Sequence, residues 1–418
     1  MGTKTQQLSN SQLEKLSNQI VDWQAVKTSD FTAVAGQGYF VNTTSGAVEV
    51  TLPSSAIVGD TISIKDYAGT FATNNLNIAR NGHKVQGQNQ ASSIITNRAN
   101  VELVYIDSTK GWLFTNESNV GDLQTTNFIT ATGGTITTVS TNFKVHTFTG
   151  DGCFVVSQIG SGTAPSAVDY LVIAGGASGG KGGANDGGGA GGAGGYRESA
   201  GTVAGPYSVS PLGACVAALT VAAQTYPVTV GGGAANIGAG CTVGNSGSNS
   251  VFSTITSAGG GAGDANGTNS VTYAATLGPG GSGGGGHQNS GGNGNTPPVS
   301  PPQGNNGGAS VDPAGSGGGG ATAVGGNAPG NNGGGAGGAG ATSCITASPV
   351  ARGGGGGGAS SPTRPSVGPN GAGGAGGGAS GGGGSSATAN TGGAGGGGHS
   401  GNSGSGGSGV VIIRYKFQ

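Results

Sequence analysis

The chain has 418 residues and a net charge of −1; 99 residues are glycine and 16 proline, while charged residues make up 7% and aromatics 5%. So little charge leaves no basic surplus to neutralise phosphates, which argues against a nucleic-acid partner, and no polybasic patch for a membrane surface. No apolar run reaches the length of about 18 residues that a membrane-spanning helix needs.

Glycine is unevenly spread. Residues 1–165 hold 16 glycines and residues 166–418 the other 83, whereas 20 of the 31 charged residues fall in the first stretch. A boundary near Gly160–Ser166 follows. The opening Met1–Gln7 carries no apolar run, so the expectation is synthesis in a cytoplasm and release by a route other than a secretory signal.

Taken in chain order, Leu13, Leu16, Ile20 and Trp23 are spaced three, four and three. That spacing predicts a helix within residues 1–30, either packed on its own domain or acting as a short oligomerising stub, for which a trimer is expected. From Tyr39 the period changes to two: Val48, Val50 and Leu52, then Ile62 and Ile64, Leu76 and Ile78, and Val101, Leu103 and Tyr105. Turn signals separate these runs, with Asn81-Gly82 the strongest hairpin cue. Residues 31–122 therefore read as a β-sandwich, the attachment module. Residues 123–165, with Phe143, Val145 and Thr147 on one face, read as a β-rich connector.

Residues 166–418 have the composition of a disordered linker, yet apolar runs frame them, Val168–Ala174 at one end and Val410–Tyr415 at the other. Tyr226–Val230 and Ser250–Ile255 add two more inside. Such runs have no use in a linker. Ordering 83 glycines costs on the order of 100 kcal/mol at about 1–2 kcal/mol each. Few side chains are present to offset it, so backbone packing is the remaining source. The expectation is a bundle of polyglycine-II-like helices, which lack internal hydrogen bonds and so bond laterally. The fold class read from the sequence is thus mainly β, with an N-terminal helix and a packed glycine-rich domain framed by strands.

Chemistry-bearing motifs are weak. Gly175–Lys181 matches a phosphate-binding loop, but Gly182 replaces the Ser or Thr that would hold Mg²⁺, and such matches arise by chance where every third residue is glycine. The carboxylates of the glycine region, Asp169, Asp186, Glu198, Asp264 and Asp312, are unpaired in sequence, which disfavours glycoside hydrolysis. Cys153, Cys215, Cys241 and Cys344 show no metal-ligand spacing. No enzyme activity, cofactor or metal is expected. Large side chains cluster instead in the interruptions between glycine runs: Tyr196, Arg197, Tyr207, His287, Gln288, Pro298, Gln303, Arg352, Arg364 and His399. Turns at the ends of a glycine bundle would carry them, where they can stack on or hydrogen-bond to a receptor. The competing reading is that they only cap the bundle.

The frame of Val168–Gly176, GGAGGYR at Gly191–Arg197, PVTVGGG at Pro227–Gly233, GSNSVFSTITSAGGG at Gly247–Gly261, PPQGNNGG at Pro301–Gly308 and GGSGVVIIRY at Gly406–Tyr415 resembles the glycine-rich domain of bacteriophage tail-fibre and tail-tip proteins, as in phages of marine bacteria and cyanobacteria. Its composition is also similar to the host-range adhesins at the fibre tips of T-even-like phages, which fold as polyglycine-II bundles. Gly38–Leu52, Gly59–Ala68, Arg80–Gly82 and Tyr105–Trp112 resemble the β-modules of cyanophage structural and fibre proteins. The resemblance implies a homotrimeric virion protein. Its N-terminal part would join other tail proteins, and its glycine-rich domain would bind host surface polysaccharide or an outer-membrane protein. A purely structural virion component and a non-viral extracellular filament are the alternatives.

Overall fold

The computed structural model describes residues 21–119, 127–161, 164–183, 185–238, 240–265, 278–288, 290–311, 313–329, 333–360, 371, 376–378 and 382–418. The chain divides into two compact units, Met1–Gln124 and Thr125–Gln418. Among the described residues the only helical element is one 3-10 turn, Pro211–Gly213.

The first unit is built from β1 (Asp22–Lys27), β2 (Phe31–Thr32), β3 (Gln37–Val41), β4 (Val48–Thr51), β5 (Thr61–Asp66), β6 (Leu76–Ala79), β7 (Ser92–Ile94), β8 (Ala99–Asp107) and β9 (Gly111–Asn119). One sheet has the order β1-β3-β5-β8-β9 and the other β2-β4-β6-β7. From β1 to β6, odd strands enter one sheet and even strands the other, and β1–β3, β3–β5, β2–β4 and β4–β6 are all parallel. The chain therefore winds as a coil of three turns, each giving one strand to each sheet, before the antiparallel β7 and the β8–β9 hairpin end it. Alternation places Val48, Val50 and Leu52 opposite Ile62 and Ile64, with Tyr39, Leu76, Ile78, Leu103 and Trp112 completing one core.

Two expectations are corrected here. Trp23 lies in β1, not on a helix, because Asp22–Lys27 pairs with β3; Leu13, Leu16 and Ile20 lie outside the described residues. Asn81-Gly82 does form a tight turn, with φ of 43° and 89° and His83 N donating to Arg80 O at 3.1 Å. It does not join two strands, since β7 begins only at Ser92.

The second unit contains β10 (Thr130–Thr132), β11 (Thr135–Val139), β12 (Phe143–Phe148), β13 (Gly152–Gln158), β14 (Ala167–Ile173), β15 (Tyr196–Glu198), β16 (Leu219–Thr220), β17 (Thr225–Thr229), β18 (Ser250–Phe252), β19 (Ile255–Ser257), β20 (Ser310–Val311), β21 (Ala328–Pro329), β22 (Ala341–Ser343), β23 (Val350–Arg352) and β24 (Val410–Lys416). The two runs framing the glycine region pair directly, β14 with β24, from Asp169↔Arg414 to Ile173↔Val410. β24 pairs on its other side with β12, so residues 125–165 belong to this unit and are not a separate connector. In the sheet β11-β12-β24-β14-β15 the central strands β14 and β24 are buried on both faces. Val168, Tyr170, Val172, Val411, Ile413 and Tyr415 face the β10-β13-β17-β18-β19 sheet, and Leu171, Ile173, Val410 and Ile412 face the glycine segments.

The packed polyglycine-II helices expected from the sequence are not seen. The glycine runs carry neither helix nor long strand. What the sequence argument required, lateral backbone bonding, is nevertheless present. Successive N–H groups of residues 174–181 donate to Gly195, Ser248, Gly407, Gly192, Asn245, Gly404, Gly189 and Thr242, so the direction of donation repeats every third residue among three neighbouring segments. Residues 187–195 sit at the centre. Their N–H groups donate to residues 258–264, 313–319 and 392–398, and their carbonyls accept from residues 174–180, 282–285 and 356–359. Such saturation meets the backbone's demand for partners without side chains. It also dictates glycine: a Cβ at Gly189, Gly192 or Gly194 would lie 2.1, 2.2 or 2.1 Å from a neighbouring carbonyl oxygen.

Candidate functional site

Turns collect at the two ends of the glycine body. Residues 174–180 leave β14 and residues 189–195 return to β15, antiparallel, with Ala174 N on Gly195 O and Gly180 N on Gly189 O. Residues 195 and 174 therefore mark the sheet end, and residues 181–183 and 185–187 lie at the far end.

The sheet end holds a buried polar layer. Asp169, fully buried in an otherwise apolar strand, accepts from Ser199 Oγ (2.7 Å), Gly201 N (3.1 Å), Val203 N (3.1 Å) and Ala204 N (2.7 Å). Its register partner Arg414 donates to Ala204 O (3.0 Å) and Ile345 O (3.1 Å). The Arg414 guanidinium lies between the rings of Phe143 and Tyr207, 4.9 and 4.8 Å from their centroids. Glu198, also buried, accepts from Tyr196 OH (3.1 Å), Ser210 N (3.0 Å) and Ser343 Oγ. Burial, then the Glu198 charge, pushes the Tyr196 phenol well above its ordinary range. Burial, then Asp169 and Glu198, does the same to Tyr207. Burial lowers Arg352 and Arg414, each partly offset by tyrosine and carboxylate neighbours. Hydrogen-bonded carboxylates and a cation clasped by rings fix a packing arrangement; none of these groups is open to a ligand.

The expected contact residues divide accordingly. Tyr196, Gln303 and Arg352 are buried at the sheet end. Gln303 is a strut: its Oε1 accepts from Ala258 N (2.8 Å), its Nε2 donates to Pro297 O (2.9 Å), and its carbonyl accepts from Tyr196 N (2.8 Å). His287 and His399 lie in far-end turns but are also buried, each 2% exposed. His287 N donates to Asp264 Oδ2 (3.1 Å) and His399 N to Gly382 O (3.0 Å), while burial lowers the His399 pKa against the opposing pull of Asp186. These five side chains fold into the body and present little surface there. Tyr207 is half-buried against Arg414. Arg364 lies outside the described residues.

Three candidates remain accessible: Arg197, whose Nη1 reaches Thr256 O at 3.4 Å, Gln288 and Pro298. Pro298 sits on the sheet-end loop 296–302, clamped by Asn295, whose side chain bonds Val299 in both directions (3.0 and 3.1 Å) and accepts from Gln303 N (3.2 Å). Reading the sequence for large side chains missed Asp169 and Arg414 as partners. The signal was there: one charge of each sign inside two apolar runs that pair. Among the described residues no group of three or more His, Cys, Asp or Glu is placed to hold a metal ion.

The glycine-rich domain family matches residues 156–416. The chain belongs to that family. The matched span starts within β13 and ends on the last residue of β24, so the glycine-rich domain takes in the closing β14–β24 pair as well as the glycine body. No curated protein matches the chain.

Proposed function

We propose that the protein is a bacteriophage tail-fibre component, a homotrimer in the virion. In this reading the N-terminal unit joins other tail proteins, and the glycine-rich domain binds host surface polysaccharide or an outer-membrane protein through its turns. The observation that carries this reading is the exclusion of side chains from the glycine body: carbonyl oxygens occupy the Cβ sites of its segments. Turns are then the places where residues can change without disturbing the packing. Several copies on one particle raise weak contacts by avidity.

The test is saturable binding of fluorescent full-length protein to a panel of bacterial strains, with Arg197→Ala, Gln288→Ala and Pro298→Ala alongside. Binding to some strains, weakened by these changes, supports recognition. One observation favours the purely structural alternative, the burial of Tyr196, His287, Gln303, Arg352 and His399. Folded protein that binds no strain, either free or displayed in many copies on a particle, supports that alternative.

A further inference from the structure

The two sheets of the first unit end on β7 and on β9. Residues of both strands and of β8 line a cleft of about 410 Å³, within the size range of small-molecule sites. Its apolar lining belongs to the core: Ile94, Ala99 and Val101 are buried, and Phe114 packs partly buried against the same cluster. Ser92, Thr96 and Ser118 bring hydroxyl groups to it.

One charged side chain, Glu117, completes the lining, and a β-bulge puts it there. Strands β8 and β9 pair Leu103↔Phe114 and then Glu102↔Asn116, so Thr115 is an extra residue on β9. Up to that point Trp112 and Phe114 stand opposite Tyr105 and Leu103 on the core side. Regular alternation would next turn Asn116 to that side. The inserted residue brings Glu117 there instead, opposite the buried Val101. Glu117 is itself exposed, so its carboxylate meets solvent at the edge of an apolar wall. Among the described residues that line the cleft there is a negative charge and no cation. Charge complementarity selects a cationic ligand. Hydroxyl groups beside an aromatic ring suit a hydroxylated ring better than a bare alkyl chain.

We propose that this cleft binds an amino sugar, its ammonium on the Glu117 carboxylate, the apolar face of its ring on Phe114 and Ile94, and its hydroxyls among Ser92, Thr96 and Ser118. The proposal stands independently of the tail-fibre reading.

Ligand-observed NMR titrations of the full chain test it, at mildly acidic pH and about 0.15 M salt, where long-range attraction is screened. The probes are a glucosamine oligomer, its fully N-acetylated counterpart and a linear diamine. Acetylation removes the positive charge and keeps the ring; the diamine keeps the charge and lacks the ring. Saturable binding of the glucosamine oligomer, roughly tenfold or more tighter than either other probe, is the expected result. Glu117→Gln should weaken it roughly tenfold or more, the loss of a charge-assisted hydrogen bond. Its thermal transition should stay unchanged, because the side chain is exposed. Glu49→Gln removes an exposed carboxylate from outside the cleft and should leave binding as it was. No saturable binding of the glucosamine oligomer, equal binding of either other probe, undiminished binding by Glu117→Gln, or equal losses from Glu117→Gln and Glu49→Gln overturns the proposal.

Discussion

Replacing Gly192 by alanine tests whether glycine is needed for close approach or merely for flexibility. The new Cβ would lie 2.2 Å from Ser282 O and 2.6 Å from Gly283 O, so the chains must part by roughly 1 Å to reach ordinary contact distance. Neither neighbour is free to move. Ser282 N bonds Ala193 O, Gly261 N bonds Ser282 O, and Gly283 N bonds Asn305 O. Overpacking costs about 1–3 kcal/mol, and one or two weakened backbone hydrogen bonds add about 0.5–1.5 kcal/mol each. The entropy lost by the unfolded chain returns about 0.4–1 kcal/mol, which leaves a net loss of about 3 kcal/mol at the middle of these ranges. Gly232 is the control, because a Cβ there meets nothing within 4 Å. Gly232→Ala is expected to stabilise by about 0.4–1 kcal/mol. Scanning calorimetry of the full chain should show the second unit's transition fall by roughly 5–15 °C for Gly192→Ala, at about 2–4 °C per kcal/mol, and rise slightly for Gly232→Ala. Both tryptophans lie in the first unit, so their unfolding signal stays put and serves as an internal standard. Equal effects of the two changes, or a neutral Gly192→Ala, would refute the close-approach argument.

Three further outcomes are expected. Asp169→Asn removes a buried carboxylate bonded to three backbone N–H groups and Ser199, and should cost about 3–5 kcal/mol in urea denaturation because Arg414 loses its neighbouring charge. His146 is buried, with Nδ1 donating to Gly133 O (2.7 Å) and Nε2 accepting from Tyr415 OH (3.1 Å), and burial lowers its pKa below the ordinary 6.5. The unfolded chain then binds a proton that the folded one refuses, so the stability this histidine contributes is complete above pH 6.5 and declines as pH falls toward the depressed folded value; His146→Gln should flatten that part of the melting-temperature profile. Deleting Val410–Gln418 removes the strand that pairs with both β12 and β14, and should abolish the second unit's calorimetric transition while tryptophan emission remains native.

Strands were legible where apolar residues alternate, as at Val48, Val50 and Leu52 or Val101, Leu103 and Tyr105, because period two sorts side chains to one face whatever the strand's partner. For the same reason the parallel coil of the first unit was not legible: alternation looks the same in a coil and in an antiparallel meander. The three-four-three spacing ending at Trp23 misled at that residue, since a strand beginning at Asp22 also presents Trp23 on one side. In the second unit the framing runs announced their own pairing. The order of the glycine segments did not, because a run without side chains carries no pattern to say which run lies beside it. The burial of His287 and His399 was hidden too. They occur between glycines, which reads as an exposed turn, but glycine leaves volume that a large neighbour fills by folding back.

The two units solve the same problem, pairing every buried N–H and C=O, in ways that leave different surfaces. In the first, strands pair within sheets and side chains pack between them, so outer-face residues such as Trp23, Phe40 and Tyr67 stay exposed. In the second, donation turns through three directions along each glycine segment, so a central segment is bonded on all sides and side chains are expelled from it. Expulsion alone does not make a binding surface, because the largest residues of the turns fold back and fill space. Among the described contact candidates, the accessible ones are Arg197, Gln288 and Pro298, which offer hydrogen bonds, a cation and a small apolar ring. Contacts of that kind are individually weak in water. The domain can work as an adhesive only if many copies act together, and for this reason strain-specific binding should be sought with particles or multimers before it is judged absent from single chains.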